Sequence, residues 1–107
     1  TMQIVEKNFK IGNLAIDFGK HEVIKSEIRI DLTLKEFELL QILIKNKGRV
    51  MTRDFLLDKI WGYEYVGETR TVDVHIRHLR QKIEDDDKNP VYIQTIRGIG
   101  YRFNFGD

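Results

Sequence analysis

The segment from Thr69 to Glu84 combines two sets of residues that would lie on opposite faces of a helix. At about 100° per residue, one narrow sector collects apolar residues: Val72, Ile76, Leu79 and Ile83. The opposite sector collects basic and amide residues with one small apolar residue: Arg70, Val74, Arg77, His78 and Gln81. Such groups hydrogen-bond to phosphates and base edges and can touch a thymine methyl group. The pattern indicates either a helix that reads DNA or an ordinary solvated amphipathic helix, since surface Arg and Gln are common.

The distribution of charge favours a polyanionic ligand more than the net charge of +1 does. From Thr69 to Lys82, four Arg or Lys residues accompany a single acid, Asp73. The acidic run Glu84-Asp85-Asp86-Asp87 follows immediately, and within it we interpret Asp85-Asp86-Asp87 as a solvated turn. An incoming polyanion responds to the local potential, so a basic face beside an acidic turn can bind it.

The composition indicates one globular domain over residues 1–107, with 41% hydrophobic and 33% charged residues. No apolar run approaches the roughly 18 residues of a membrane span, and the N-terminal sequence TMQIVEKNFK has no signal-peptide character. Cysteine is absent, which excludes disulfides and thiolate metal sites and fits the cytoplasm. We therefore expect a cytoplasmic protein without a cofactor.

Local signals predict the elements that would position the two-faced helix. Turn residues divide the N-terminal part into three or four short antiparallel strands, near 8–11, 14–18, 21–25 and 28–31. The pair Thr33 and Glu36 forms a capping box that opens a helix, Thr52 caps a second helix, and Thr69 caps the third. Only the short connection 48–51 separates the first two helices.

The C-terminal part alternates as a hairpin, with strands over residues 92–97 and 101–105 and a turn at Gly98-Ile99-Gly100. Two helices joined by a short loop, a third helix with a polar face and a closing hairpin predict a winged helix-turn-helix. The hairpin would be the wing. The expected class is α+β, with the N-terminal antiparallel sheet preceding the helices.

Four motifs carry a resemblance to a known family: LTLKEFELL (32–40), RVMTRDFLLDKIWG (49–62), RTVDVHIRHLRQKIE (70–84) and IQTIRGIGYRF (93–103). From Phe9 onward the chain resembles the C-terminal DNA-binding effector domain of OmpR/PhoB-type response regulators, from bacterial two-component systems. The resemblance implies a four-stranded sheet, three helices and a wing that bind double-stranded DNA. It also implies a receiver domain with a phosphoacceptor aspartate, outside this chain, and a cognate sensor kinase.

The resemblance makes 69–84 the recognition helix, in the major groove, which agrees with its two faces. Arg77 is the first candidate for a base contact, because a guanidinium can address guanine bidentately. Val74 would touch a thymine methyl group. His78 stands where many family members carry arginine, so it is either a base contact or merely exposed. The resemblance also places Arg97, at the tip of the wing 92–105, in the minor groove, with a solvated turn arginine as the alternative.

Candidate phosphate contacts surround the recognition helix: Thr52, Arg53, Trp61, Arg70, Arg80, Thr95 and Tyr101. The first amides of the second helix suit a phosphate, although capping alone explains Thr52. Trp61 can donate its indole N–H or serve as a core aromatic residue. Tyr101 can equally be sheet packing.

The resemblance implies two further partners. The loop 62–68 corresponds to the segment that contacts RNA polymerase in this family: Gly62, Tyr63, Glu64, Tyr65, Val66, Gly67 and Glu68. The isolated domain is expected to be a monomer that binds direct-repeat promoter sites as a tandem dimer.

An enzyme and a protein-interaction domain are the alternatives. His75 and His78 could share a metal with Asp73 or His21, but the helical wheel points the two histidines in different directions. The run Asp85-Asp86-Asp87 lacks the glycine and distal glutamate of a calcium loop. We expect no enzymatic activity and no metal. An interaction domain without DNA affinity is disfavoured by the basic face.

Overall fold

The computed structural model describes residues 7–62, 65 and 67–104. The chain divides into two compact units, Thr1–Asp31 and Leu32–Asp107. No helix in the described part of the chain is long and apolar enough to cross a membrane.

The first unit is an antiparallel meander of four strands in the order β1-β2-β3-β4. Their bounds are Asn8–Ile11, Leu14–Asp17, Glu22–Lys25 and Ile28–Ile30. The predicted strands are therefore confirmed to within a residue or two at their ends. Ser26 and Glu27 both have positive φ, 49° and 68°, which is the backbone conformation of a two-residue hairpin turn.

The second unit contains three helices: α1 (Leu34–Lys45), α2 (Arg53–Trp61) and α3 (Arg70–Ile83). The capping box of α1 is confirmed. Thr33 Oγ1 accepts the N–H of Glu36 at 3.2 Å, and Glu36 Oε1 accepts the N–H of Thr33 at 2.9 Å. The side chain of Thr52 likewise caps α2 by accepting the N–H of Phe55 at 3.1 Å.

Thr69 does not cap α3 through its side chain, which corrects the predicted start of that helix. Its backbone is already helical, with φ −61° and ψ −16°, and its side chain makes no cap hydrogen bond. A capping side chain reaches the next amides only from an extended backbone, so this conformation precludes the bond.

The apolar sector of α3 lies in the core of the second unit, as predicted. Its four residues are all completely buried: Val72, Ile76, Leu79 and Ile83. Leu39, Leu40 and Leu43 of α1 are buried to the same degree. Burial of each such side chain contributes about 1.5–3 kcal/mol, so the orientation of α3 is strongly determined by its sequence.

A three-stranded sheet of order β5-β7-β6 completes the second unit. Its strands are β5 (Val50–Thr52), β6 (Ile93–Ile96) and β7 (Gly100–Phe103). The prediction of a plain connection over residues 48–51 is wrong for Val50 and Met51, because Val50 pairs with Arg102 and Met51 pairs with Tyr101. The predicted hairpin strands are confirmed but shorter, and Phe105 lies outside the described residues.

The two glycines of the hairpin have different tasks. Gly98 has a φ of +77° and forms the turn. Gly100, which was predicted to belong to the turn, is the first residue of β7, and a Cβ there would collide with the carbonyl oxygen of Met51. The missing side chain therefore allows β5 to approach β7. Three helices and this hairpin form the predicted winged helix-turn-helix.

Candidate nucleic-acid interface

The polar sector of α3 faces solvent along its whole length. All five of its residues are exposed: Arg70, Val74, Arg77, His78 and Gln81. Val74 is 42% exposed although it is apolar. The three residues of α3 that are predicted to contact bases, Val74, Arg77 and His78, thus share one accessible face. The opposite face of α3 is buried in the core.

Asp73, in the first turn of α3, joins this helix to two other elements. Its Oδ1 accepts a hydrogen bond from Arg53 Nε of α2 at 3.0 Å and one from the hydroxyl of Tyr101 in β7 at 2.5 Å. The negative charge of Asp73 raises the pKa of Arg53 above its ordinary value. The sequence indicated Asp73 as the one acid in a basic segment and as a possible metal partner of His75 and His78, and neither interpretation predicts this bridge. Its position in the first turn of a helix rich in arginine is the signal that could have found it.

Tyr101 is only 5% exposed. Burial, together with the hydrogen bond to Asp73, raises the pKa of its hydroxyl to about 12. A phenol has a single hydrogen to donate, and Asp73 receives it here. A phosphate contact by this hydroxyl would require the bond to Asp73 to open, so that contact stays a prediction.

Arg80 joins α3 to the first strand of the wing. Its Nε and Nη2 donate to the carbonyl oxygen of Ile93 at 3.1 and 2.7 Å, and Nη2 also donates to Thr95 Oγ1 at 2.7 Å. The guanidinium lies 5.5 Å from the centre of the Tyr101 ring. Burial lowers the pKa of Arg80 below its ordinary value. Phosphate contacts by Arg80 and Thr95 remain predictions, and the structure gives both a role in positioning the wing.

Glu84 follows α3 and is a buried anchor for the start of the wing. Its side chain accepts the backbone N–H of Val91 at 2.7 Å, of Tyr92 at 3.0 Å and of Ile93 at 2.8 Å. The residue is only 3% exposed. Glu84 thus differs from the solvated turn predicted at Asp85-Asp86-Asp87, because its carboxylate oxygens satisfy several amides that would otherwise lack partners.

The remainder of that acidic run behaves as predicted, since Asp85, Asp86 and Asp87 are exposed. Nothing in the acidic run itself distinguishes Glu84, because its solvated neighbours are carboxylates as well. The available signal was its position, one residue after the buried Ile83.

An ion pair between the buried Glu36 and the partly exposed Lys82 joins α1 to α3. Lys82 Nζ donates to Glu36 Oε1 at 2.7 Å, and Glu36 is 3% exposed. Burial opposes ionisation of Glu36, but the hydrogen bonds from Lys82 and Thr33 outweigh it and lower the pKa of this carboxyl. Glu36 thus serves both the capping box of α1 and the packing of α1 against α3.

The remaining candidate phosphate residues lie around α3 in different settings. Arg53 is held by Asp73, and Thr52 is exposed at the start of α2. Arg70 is exposed and lies 3.9 Å from Glu68, a distance at which an exposed ion pair contributes little. Arg97, the candidate for the minor groove and not for a phosphate, is exposed at the wing tip.

Trp61 is half-buried at the end of α2. Its ring meets the edge of His75 at a centroid distance of 4.8 Å, and Lys35 Nζ lies 5.6 Å from its centre. These contacts support the packing alternative and leave a phosphate contact by Trp61 as a prediction.

The candidate polymerase loop is described only in part. Gly62, Tyr65, Gly67 and Glu68 lie within the described residues, whereas Tyr63, Glu64 and Val66 lie outside them. The hydroxyls of Tyr65 and Thr71 are 3.3 Å apart, which links the loop to the first turn of α3.

The arrangement of the histidines does not favour a metal site. His75 Nδ1 lies 2.9 Å from the carbonyl oxygen of Thr71, and the rings of His75 and His78 are 6.5 Å apart at their centres. Within residues 7–62, 65 and 67–104, no group of three His, Asp or Glu side chains is arranged to hold a metal ion.

Comparisons with known proteins agree with this geometry. Residues 26–103 match the family described as "Transcriptional regulatory protein, C terminal". The chain is 52% identical over 98 residues to the alkaline phosphatase synthesis transcriptional regulatory protein PhoP of Bacillus subtilis, covering 92% of this chain and 41% of PhoP. It is 50% identical over 91 residues to the sensory transduction protein RegX3 of Mycobacterium leprae, covering 85% of this chain and 46% of RegX3. The chain thus spans less than half the length of these relatives.

Solved structures show the same fold. The response regulator DrrB, a Thermotoga maritima OmpR/PhoB homologue, matches with a TM-score of 0.87 and 40% identity over 92% of this chain and 45% of DrrB. The DNA-binding domain of Klebsiella pneumoniae RstA, crystallised in complex with the RstA box, matches with a TM-score of 0.84 and 35% identity over 94% of this chain and 100% of that domain. The family consists of transcriptional regulators and is not a family of enzymes. The chain belongs to the family of C-terminal domains of transcriptional regulatory proteins and is an effector domain of the OmpR/PhoB type.

Proposed function

We propose that this domain binds double-stranded DNA sequence-specifically, as the effector domain of a two-component transcriptional response regulator. The observation that carries the proposal is the exposed basic face of α3, backed by a completely buried apolar face. An α-helix fits the major groove of B-DNA, whose base edges carry a unique pattern of donors and acceptors. The related RstA domain, which was crystallised with its DNA box, supports this assignment.

In this proposal the base contacts come from the middle of the exposed face. Arg77 donates bidentately to guanine, and Val74, one turn earlier, packs on a thymine methyl group. His78 contacts a base or the adjacent phosphate. Arg97 enters the minor groove from the wing tip, where a narrow groove concentrates negative potential.

Phosphate contacts fix the register of the helix without reading sequence. We assign them to residues on α3 itself, at the two ends of α2 and on the wing: Thr52, Arg53, Trp61, Arg70, Arg80, Thr95 and Tyr101. Arg53 and Arg70 are the most direct candidates because their side chains are 41% and 81% exposed. The side chains of the remaining candidates are needed for contacts within the protein, so we expect each of them to contribute less to the free energy of DNA binding.

Family membership supports a proposal for the partners of the whole protein. We propose an N-terminal receiver domain, a cognate sensor kinase that phosphorylates it, and a cytoplasmic location. Two effector domains bind direct-repeat promoter sites in tandem, while the isolated domain is monomeric. The loop 62–68 contacts RNA polymerase. Neither enzymatic activity nor a metal forms part of the proposed function.

The test is a titration of the isolated domain on duplex DNA at several salt concentrations, after selection of preferred sites from a random duplex pool. Each phosphate contact lowers log K by about 0.9 for every tenfold rise in salt, so affinity for the selected site should weaken steeply. The matched control is Arg29→Ala, which removes an exposed arginine from β4 in the other unit. Absence of binding at low salt would contradict the proposal, and an Arg77→Ala variant indistinguishable from Arg29→Ala would contradict the role of α3.

A further inference from the structure

A carboxylate in the first turn of a DNA-reading helix is unfavourable on simple electrostatic grounds, because phosphates repel it. Asp73 nevertheless lies there and receives hydrogen bonds from Arg53 and Tyr101 on two other elements. We propose that Asp73 is a positioning residue for DNA binding: it holds Arg53 by its Nε and thereby presents the terminal nitrogens of that guanidinium to a phosphate. The inference rests on the proposed function.

The geometry of the guanidinium supplies the first argument. Its five N–H groups lie in one plane in a fixed fork. A bond of 3.0 Å from Nε to Asp73 therefore restricts the plane and the direction of both terminal nitrogens. The Arg53 side chain is still 41% exposed, so the oriented group remains accessible.

The surroundings of Arg53 supply the second argument. The side chain lines an open concavity whose other walls come from the start of α2, the residue before α3 and the wing tip: Thr52, Asp54, Thr69, Gly98 and Ile99. A DNA strand that lies along α3 and the wing would pass over this concavity. The terminal nitrogens of Arg53 would then meet its backbone in a bidentate arrangement.

The third argument is that Asp73 is itself held in place. The hydroxyl of Tyr101 donates to the same Oδ1 atom, and its ring is buried in the sheet. The carboxylate therefore cannot rotate freely to follow Arg53, and the arginine must adopt the direction that the carboxylate sets. An oriented donor loses less conformational entropy when it binds than a mobile one does.

A purely electrostatic effect and a positioning effect predict opposite changes in DNA affinity for one substitution at Asp73. Asp73→Asn removes a negative charge from the interface, which by charge alone should tighten binding. If Asp73 orients Arg53, the same substitution should weaken binding roughly three- to tenfold, the value of about one hydrogen bond. The matched control is Asp54→Asn, which removes an exposed carboxylate from the same concavity and should leave binding equal or tighter.

The experiment compares the wild-type domain with Asp73→Asn, Arg53→Ala and the double variant. For each folded domain it measures the Kd for the selected duplex and the dependence of log K on salt concentration. Arg53→Ala should reduce the salt slope by about 0.9, one phosphate contact. In the Arg53→Ala background, Asp73→Asn should cause no further weakening, because its effect acts through Arg53. A general loosening of the wing would instead weaken binding equally in both backgrounds.

Arg53→Lys keeps the charge and tests the proposal even if Asp73→Asn fails to fold. Lysine lacks the planar fork, so this variant should bind about three- to tenfold more weakly than the wild type. Equal affinity of Arg53→Lys and the wild type, or tighter binding by Asp73→Asn, would overturn the inference. A wild-type domain that binds no DNA would instead overturn the proposed function itself.

Discussion

The guanidinium of Arg80 donates two hydrogen bonds to the carbonyl oxygen of Ile93, 3.1 Å from Nε and 2.7 Å from Nη2. This pair ties the last turns of α3 to the first strand of the wing. Arg77, three residues earlier on the same helix, is exposed and faces away from the core. Two arginines of one helix thus have different tasks, one directed toward the wing and one toward solvent.

Arg77→Ala and Arg80→Ala should therefore separate base reading from positioning. Loss of Arg77 should remove about 1–3 kcal/mol of discrimination at one base pair. Loss of Arg80 should weaken binding to all duplexes by a similar factor. It should also lower the free energy of unfolding by about 1–3 kcal/mol, because it leaves the Ile93 carbonyl without its donor. A panel of duplexes with single substitutions, together with denaturant unfolding, measures both effects. An unchanged base preference in Arg77→Ala would refute direct readout by this residue.

Glu84→Gln should destabilise the wing. Glutamine keeps one carbonyl acceptor but brings an NH₂ donor toward the amides that the carboxylate accepts, so a buried donor loses its partner at a cost of about 1–3 kcal/mol. Hydrogen exchange of Val91, Tyr92 and Ile93 amides should accelerate in parallel. Asp87→Asn, in the exposed part of the same acidic run, is the control and should change stability by less than about 0.5 kcal/mol. Equal unfolding midpoints of the two variants would refute the anchor role of Glu84.

Tyr101 should make the protein less stable at high pH. Its pKa is raised from 10.0 to about 12 in the folded state, so between these values the unfolded chain loses the phenolic proton first. Stability should be unaffected by this group below pH 10 and should fall by on the order of 2 kcal/mol between pH 10 and 12. Unfolding of wild type and Tyr101→Phe at several pH values measures the difference. A stability difference that does not change across this interval would contradict the assignment.

Glu36 should contribute to stability at neutral pH and less in acid. Its folded pKa lies below the ordinary value of 4.5, so its contribution is complete above that value and disappears as pH falls through the folded pKa. Glu36→Gln preserves the capping box but removes the charge opposite Lys82. We expect the free energy of unfolding of the wild type to exceed that of this variant by on the order of 1 kcal/mol at pH 7. Denaturant unfolding at several pH values should show this difference in unfolding free energy becoming smaller in acid. A difference that does not change with pH would rule out the charge of Glu36 as its source.

Gly100→Ala should disturb the contact between β5 and β7. An added Cβ would collide with the Met51 carbonyl oxygen and separate the strands, at a cost of about 1–3 kcal/mol. Gly98→Ala is the comparison, because its site has open space and only the positive φ opposes a side chain. Denaturant unfolding should rank Gly100→Ala as the more harmful. The reverse ranking would contradict the close-approach explanation.

The parts of the fold that could be predicted from the sequence are those determined by residues close to one another along the chain. The capping box at Thr33 and the apolar spacing of α3 each depend on residues within a few positions of one another, and both are confirmed. The exposed side of α3 follows from the same spacing, so the accessibility of Arg77 and Val74 was also predictable.

Sequence reasoning missed the features that depend on distant partners. Val50 to Thr52 form a strand only because β7 lies beside them, and nothing near them in the sequence indicates this. The roles of Asp73 and Glu84 depend on the donors that the fold brings to them. The carboxylates that follow Glu84 directly are solvated, so an acidic side chain alone does not indicate such a role.

The pairing of β5 with β7 also constrains how this protein is made. Val50 lies beside Arg102, so β5 gains its sheet partner only after residues beyond α3 have been synthesised. Contacts between such distant parts of a chain form slowly, because a long loop must close first. A nascent chain that has reached α3 on the ribosome would carry all three helices and an unpaired β5. We therefore expect co-translational folding to finish late, after Phe103 has left the exit tunnel.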